Sequence, residues 1–247
     1  MTRTTGQPGD AAKGSQVAQD YLKEMWGHEE AGGEGISVND LAALMGVVAS
    51  TASENVARLT AQGLVTHEPY RKVHFTEEGR RIAVGMVRRH RLIETYLHDR
   101  LGFEWDEVHE EAEILEHAVS DRLLAHIDEA LGKPARDPHG DPIPDADGAV
   151  RIGGTEPLVE QGVGEWLTVA RLSDEDPQGL RDLDAAGIGL DSTIRLTAPI
   201  DEGGTAESDE DEERSEVVLE VRAPGGALET VVLDVATAEL IRVRARD

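Results

Sequence analysis

The sequence predicts a mainly α chain with a β-rich end, arranged as an N-terminal winged helix-turn-helix, a helical domain and a small C-terminal β-barrel of SH3 type. Three observations predict it. Residues 37–75 read as helix, tight turn, helix and hairpin. Apolar periodicity is helical as far as about residue 131 and gives way to short β-rich runs from about 160. Between Arg88 and His117, the residues His90, Glu94, His109, Glu113, Glu116 and His117 recur at offsets of three and four, which on a helix gather side chains on one face.

Residues 1–14 are rich in Gly, Thr and Pro without periodicity and read as a disordered arm. The first domain, 15–76, opens with a helix in VAQDYLKEMWGHE, whose apolar stripe is Val17, Tyr21, Leu22, Met25 and Trp26, and which stops at EAGGEG. Ser37 caps a second helix that Gly46 ends. Ala49 or Ser50 opens a third, with Ala52, Val56 and Leu59 on one face and Gly63 as its stop. LVTHEPYRKVHFT then reads as two strands around a turn at 68–71.

The second domain, 77–149, starts after Thr76 with a capping-box-like TEEG. Its apolar positions run from Ile82 to Leu101, a helix of ~25 residues, a length common in helices that pack against a partner subunit. Gly102 breaks it. Helices at 105–117 and 120–131 follow, and then DPHGDPIPDADG, 137–148, as a proline-rich connector. In 150–247 the runs WLTVARL, STIRLTAPI, EVVLEVRA, ETVVLDVA and LIRVRA predict the barrel strands, with a short helix at 176–188. Residues 201–214, eight acidic and one Arg, read as a solvated loop.

The chain has 50 acidic and 24 basic residues, a net charge of -26, and no cysteine, which excludes disulfides and thiolate metal sites. Imidazole with carboxylate and no sulfur suits Mn(II), Fe(II) or Zn(II). No stretch reaches the ~20 apolar residues of a membrane span, and the N-terminus lacks a signal-peptide core, so the expected location is the cytoplasm. The acidic excess opposes nucleic-acid binding as a whole-chain property. Its distribution does not, because Arg58, Arg71, Lys72, Arg80, Arg81, Arg88, Arg89 and Arg91 face only Glu68, Glu77 and Glu78 between 58 and 91. Ser50, Thr51, Ser53 and Glu54 open the third helix, the place where recognition helices meet base edges. Glu54 reads equally as an acceptor for cytosine N4 and as a carboxylate favoured at a helix start. Arg58, Arg71 and Lys72 are candidates for phosphate contacts.

The winged helix followed by RRHRLIE at 88–94, VHEEAEILEH at 108–117 and DPHGDPIP resembles the diphtheria toxin repressor family over residues from about 16 to 247. The resemblance implies a homodimeric, metal-dependent repressor of operator DNA with a helical metal-binding dimerisation domain, controlling metal-ion homeostasis. Matched by position, a primary site uses Asp20, Glu113, Glu116 and His117, and an ancillary site uses His90, Glu94 and His109. Asp174, Glu175 or Asp176 is implied as a further oxygen donor from the SH3-like domain. The iron-sensing branch has Met and Cys at the places of Asp20 and Glu113, so two carboxylates resemble the manganese transport regulators. Mn(II) is thus the expected metal, with Fe(II), Co(II) and Zn(II) as substitutes. Lys23 stands where the smaller manganese regulators carry a glutamate, which argues against their closely spaced two-metal arrangement.

An iron-dependent regulator of the same family is the near rival. A helical di-metal carboxylate enzyme is the distant one, and it requires Glu-x-x-His pairs, whereas the residue three before His117 is Ile114. The expectation is therefore a regulator, not an enzyme. His28, His67, His74, His98, His126 and His139 are expected on the surface or in packing.

Overall fold

The computed structural model describes residues 15–150, 153–174, 176–198, 216–222 and 226–246; the expected arm 1–14, Glu175 and the acidic stretch 201–214 lie outside the described residues. Among the described residues the contacts separate two compact units, one made of 15–90, 116–119 and 144–150, the other of the remainder.

In the first unit, α1 (Gln16–Glu30) starts at Ser15, whose Oγ accepts from the Ala18 N–H, and buries Ala18, Tyr21, Leu22, Met25 and Trp26. Ser37 caps α2 (Val38–Leu44) through the Asp40 N–H. Of the two expected starts, α3 (Ala49–Ala61) takes Ala49 and turns Ala52, Val56 and Leu59 inward. β1 (Val65–Thr66) and β2 (His74–Phe75) pair antiparallel, and at the tip between them Tyr70 is fully exposed with φ +66°.

Thr76 joins this hairpin to α4 (Glu77–Tyr96). Its hydroxyl donates to the Leu64 carbonyl and accepts from the Gly79 N–H. A Cβ at Gly79 would lie 1.8 Å from the Leu64 carbonyl oxygen, so glycine is what lets the helix start against the hairpin. Leu22, Leu41, Val56, Leu59, Val73 and Ala83 belong to the single core that these elements share. This is the expected winged helix-turn-helix.

In the second unit the end of α4 loosens into a π-helical turn, Leu97–Leu101, closed by Gly102 at φ +76°. The expected unbroken helix to 101 is corrected to that extent. Helix α5 is also shorter than expected, Val108–Leu115 in place of 105–117, because residues 104–107 close a turn through Glu107 N–H to Glu104 C=O. α6 (Asp121–Leu131) is capped by Ser120 and ended by Gly132 at φ +79°.

Strands β3 (Glu156–Pro157), β4 (Leu167–Leu172), β5 (Thr193–Leu196), β6 (Glu216–Arg222), β7 (Leu228–Asp234) and β8 (Ile241–Ala245) form an antiparallel sheet in the order β3-β8-β4-β5-β6-β7, consistent with an SH3-like barrel. α7 (Pro177–Ala185) follows β4 as expected. β3 and α8 (Val235–Glu239) were not expected. At α8 the Asp234 carboxylate accepts from the Thr237 N–H and turns a β-branched run into a helix start. Leu158, Val169, Leu183, Ile194, Leu219 and Ile241 lie in the core beneath.

The connector is structured. Asp137 Oδ1 accepts from the His139 and Asp141 N–H groups, and the Leu172 N–H on β4 donates to the His139 carbonyl. Residues 144–150 belong to the first unit, where Arg88 donates to the Pro144 carbonyl.

Candidate metal centre and nucleic-acid interface

The first unit brings Asp20, Glu116 and His117 together, each offering one ligand atom within 4.8 Å of the others. Asp20 is half-buried on the side of α1 opposite the stripe that fills the core. Glu116 and His117 are not on a helix face, which corrects the expected geometry. α5 ends at Leu115, and the chain turns at 116–118 to reach the Ser120 cap of α6.

The His117 Nδ1–H donates to Gln19 Oε1 at 2.9 Å, which aims Nε2 at two carboxylates, Asp20 Oδ1 at 2.9 Å and Glu116 Oε1 at 3.5 Å. With Nδ1–H held by Gln19, the Nε2 lone pair points at two carboxylates, an arrangement that a bound divalent ion would complete. Holding the remote nitrogen is the usual second interaction of a ligating histidine. Gln19 is a residue that sequence reasoning missed, although its place next to Asp20 was the available signal.

Glu116 is buried. Burial works to raise its pKa, but the His90 hydrogen bond, 2.6 Å from Nδ1 to Oε2, and the Lys23 ammonium hold it below the usual carboxylate range. His90, expected in the ancillary set, is in this unit a partner of Glu116.

In the second unit Glu94, His109 and Asp174 each offer a ligand atom within 4.8 Å, and so do Glu94, Asp137 and His139. His109 Nδ1 is 2.8 Å from Asp174 Oδ2 and 3.4 Å from Glu94 Oε1, and these hydrogen bonds push its pKa up to about 10. Burial tends to raise Asp174, yet the His109 hydrogen bond and charge leave it below its ordinary value. Asp137 is pushed well up by burial first, then by the neighbouring Asp141 and Glu94 charges. Glu113 is half-buried on α5 with its oxygen 3.7 Å from His109 Nε2. Asp176 serves instead as the α7 cap through the Gln178 N–H, and Glu175 is outside the described residues.

His139, expected on the surface or in packing, is completely buried and faces this cluster. Its Nε2–H donates to the Trp105 carbonyl at 2.7 Å, and its Nδ1, without a hydrogen-bond partner, lies 4.0 Å from Asp174 Oδ2. The donor set of both clusters is oxygen and imidazole, the set that fits a hard or borderline divalent ion.

On the winged helix, Ser50, Thr51, Ser53 and Glu54 are exposed on the first turns of α3. Arg58, further along, donates to Asn55 at 3.3 Å. Asn55 also donates to the Tyr21 hydroxyl at 3.2 Å, linking α3 to the helix that carries Asp20. Arg71 is exposed beside Tyr70 at the wing tip, and Lys72 donates to the Glu34 carbonyl.

Such a fold and such clusters define a class, the metal-dependent DNA-binding transcriptional repressors. Two family descriptions match in tandem: iron dependent repressor, N-terminal DNA binding domain, over 14–73, and iron dependent repressor, metal binding and dimerisation domain, over 76–145. The chain belongs to the diphtheria toxin repressor family. It is 35% identical over 138 residues to the iron-dependent repressor IdeR of Mycobacterium tuberculosis, covering 56% of this chain and 58% of that one. It is 42% identical over 94 residues to the diphtheria toxin repressor of Corynebacterium efficiens, covering 38% of this chain and 41% of that one. The chain thus spans about half the length of these two relatives. A solved manganese-dependent transcriptional repressor in complex with manganese is 47% identical, with a TM-score of 0.81, over 93% of this chain and 100% of that one.

Proposed function

We propose that the protein is a Mn(II)-responsive repressor that binds operator DNA as a homodimer and controls metal-ion homeostasis. The observation that carries this reading is His117, held by Gln19 and aimed at Asp20 and Glu116, so that one site joins α1 of the winged helix to the segment after α5. Asp20, Glu116 and His117 are the primary ligands, with Glu113 a further candidate. Glu94, His109 and Asp174, with Asp137 and His139, form the ancillary set, and His90 remains a further candidate for it. A bound divalent ion would supply the positive charge that these oxygens and nitrogens converge on.

The chain's own groups do the rest. Gln19 orients His117, and Glu116 is held ready by His90. The Tyr21 to Asn55 hydrogen bond ties α1 to the recognition helix, whose Ser50, Thr51, Ser53 and Glu54 meet base edges. Arg58, Arg71 and Lys72 meet phosphates. Two copies must present their helices one DNA turn apart, ~34 Å. Leu101, Ile114 and Leu123, large apolar side chains exposed on the helical part of the second unit, support dimerisation. Among the described residues no helix is long and apolar enough to cross a membrane.

The manganese assignment draws on the all-oxygen-and-nitrogen donors and on the manganese-dependent repressor that the chain resembles. The iron-dependent relatives keep Fe(II) as the second reading. Gel shifts on the gene's own upstream region across Mn(II), Fe(II), Co(II) and Zn(II) separate the two. Asp20→Ala and His117→Ala should each abolish metal-dependent binding while the dimer stays folded, and wild-type operator affinity in both would sink the primary assignment.

A further inference from the structure

Lys23 puts a cation of the protein's own inside the primary cluster. It lies three residues after Asp20 on α1, and its ammonium sits 2.9 Å from Glu116 Oε1 and 3.1 Å from Oε2. Oε1 is the oxygen that also faces His117 Nε2. The Lys23 side chain keeps 12% of its surface exposed, whereas that of Glu116 has none. The carboxylate is also held by His90, 2.6 Å from its Oε2, whereas the ammonium is the partner able to move aside, because a lysine head is strongly hydrated and rides on a flexible four-carbon stem.

We propose that Lys23 is a tethered competitor for Glu116, so that metal binding at Asp20, Glu116 and His117 exchanges an ammonium for a divalent ion and sets the sensor's threshold. A charge of +1 a few ångströms from a +2 ion lowers affinity whether the ammonium moves aside or stays. Every divalent ion meets the same opposition, so Lys23 acts on the concentration at which the sensor responds and not on the choice of metal. This inference rests on the primary-site reading above.

The test is Mn(II) binding by calorimetry on the full chain, with the ancillary cluster weakened by Asp174→Asn. In that background Lys23→Met, which keeps the stem and removes the charge, should bind Mn(II) on the order of tenfold more tightly or better. Lys23→Arg should stay within about threefold of the parent, because the charge remains. The metal-free Met variant should melt no higher than the parent, yet gain more thermal stability from added Mn(II); a merely structural lysine would lower both melting points together. Should the Met variant not fold, Lys23→Gln carries the same expectation. Affinity within about twofold of the parent, or weaker, in the neutral variant overturns the proposal. His117→Ala keeps the two readings distinguishable: if it binds Mn(II) like the parent, the primary site itself is wrong, and if it loses binding while Lys23→Met changes nothing, only the competitor role fails.

Discussion

The ancillary cluster makes a quantitative prediction about protons. In the metal-free protein His109 is flanked by Asp174 and Glu94, which push its pKa from the ordinary 6.5 up to about 10. A ligating nitrogen must shed that proton. The elevation corresponds to about 5 kcal/mol, and because the side chain is 42% exposed, solvent screening brings it to on the order of 2 kcal/mol. Mn(II) binding to this cluster, with the primary site silenced by Asp20→Ala, should therefore release about one proton per ion at pH 7.5. Its apparent affinity should climb by up to about tenfold per pH unit between 6.5 and 8. Calorimetric titrations in buffers of differing ionisation heat measure both quantities.

Asp137 is a second possible source, since burial, Asp141 and Glu94 push its carboxyl upward as well. His109→Gln separates the two, and release that persists in that variant refutes the reasoning. A flat pH profile with no release also refutes it, and would leave the nitrogen ligand to His139, whose Nδ1 faces Asp174. Stability carries the same linkage. The His109 contribution to the metal-free fold is fully present below its ordinary value and is lost as pH rises through the raised one.

Arg71→Ala at the wing tip should weaken binding to all DNA sequences alike and reduce the slope of log affinity against log salt by about 1; a sequence-selective loss in salt-titrated anisotropy would show that it reads bases. Gly79→Ala should destabilise the winged helix by roughly 2 kcal/mol or more, because its Cβ would meet the Leu64 carbonyl at 1.8 Å, and an unchanged melting temperature would contradict that packing. Tyr21→Phe removes the acceptor of Asn55 and should cost about 1 kcal/mol of stability without altering Mn(II) affinity; a fall in metal affinity would place the hydroxyl at the metal site itself.

Much of this was legible in the residues because it is local. Ser37, Gly46 and Gly63 punctuate the helix-turn-helix by capping chemistry that acts within a turn of the chain. Asp234 caps just as locally, but it sits in a run of β-branched residues whose propensity for strand hides the α8 start. The proposed primary ligands were legible as residue types and not as geometry. Helical offsets place Glu116 and His117 on the α5 face, whereas α5 stops at Leu115. His139 left no periodic trace, since Asp137 and His139 are two apart in an irregular connector. Only its complete burial, one ring nitrogen bound and the other aimed at Asp174, gives it away.

Both clusters solve the same electrostatic problem, and the solution bears on how the metal is selected. Each gathers several carboxylates in or near the interior, where unpaired negative charge is costly. In the first unit Lys23 and His90 lend positive charge to Glu116. In the second, His109 lends it to Asp174 and Glu94, and Arg91 to Asp137, where its Nε lies 3.6 Å from Oδ2. The metal-free fold is thereby stable enough to exist, and every incoming ion must compete with a side-chain cation already in place. In a chain without cysteine no thiolate rewards a soft ion for winning that contest. For Mn(II), which lies low in the divalent stability order, to be the responding ion as proposed, coordination geometry and cellular supply must favour it. A uniform electrostatic cost at each site helps that outcome, because it keeps the sensor unresponsive to ions present in trace amounts and leaves its range to an ion available at higher free concentration.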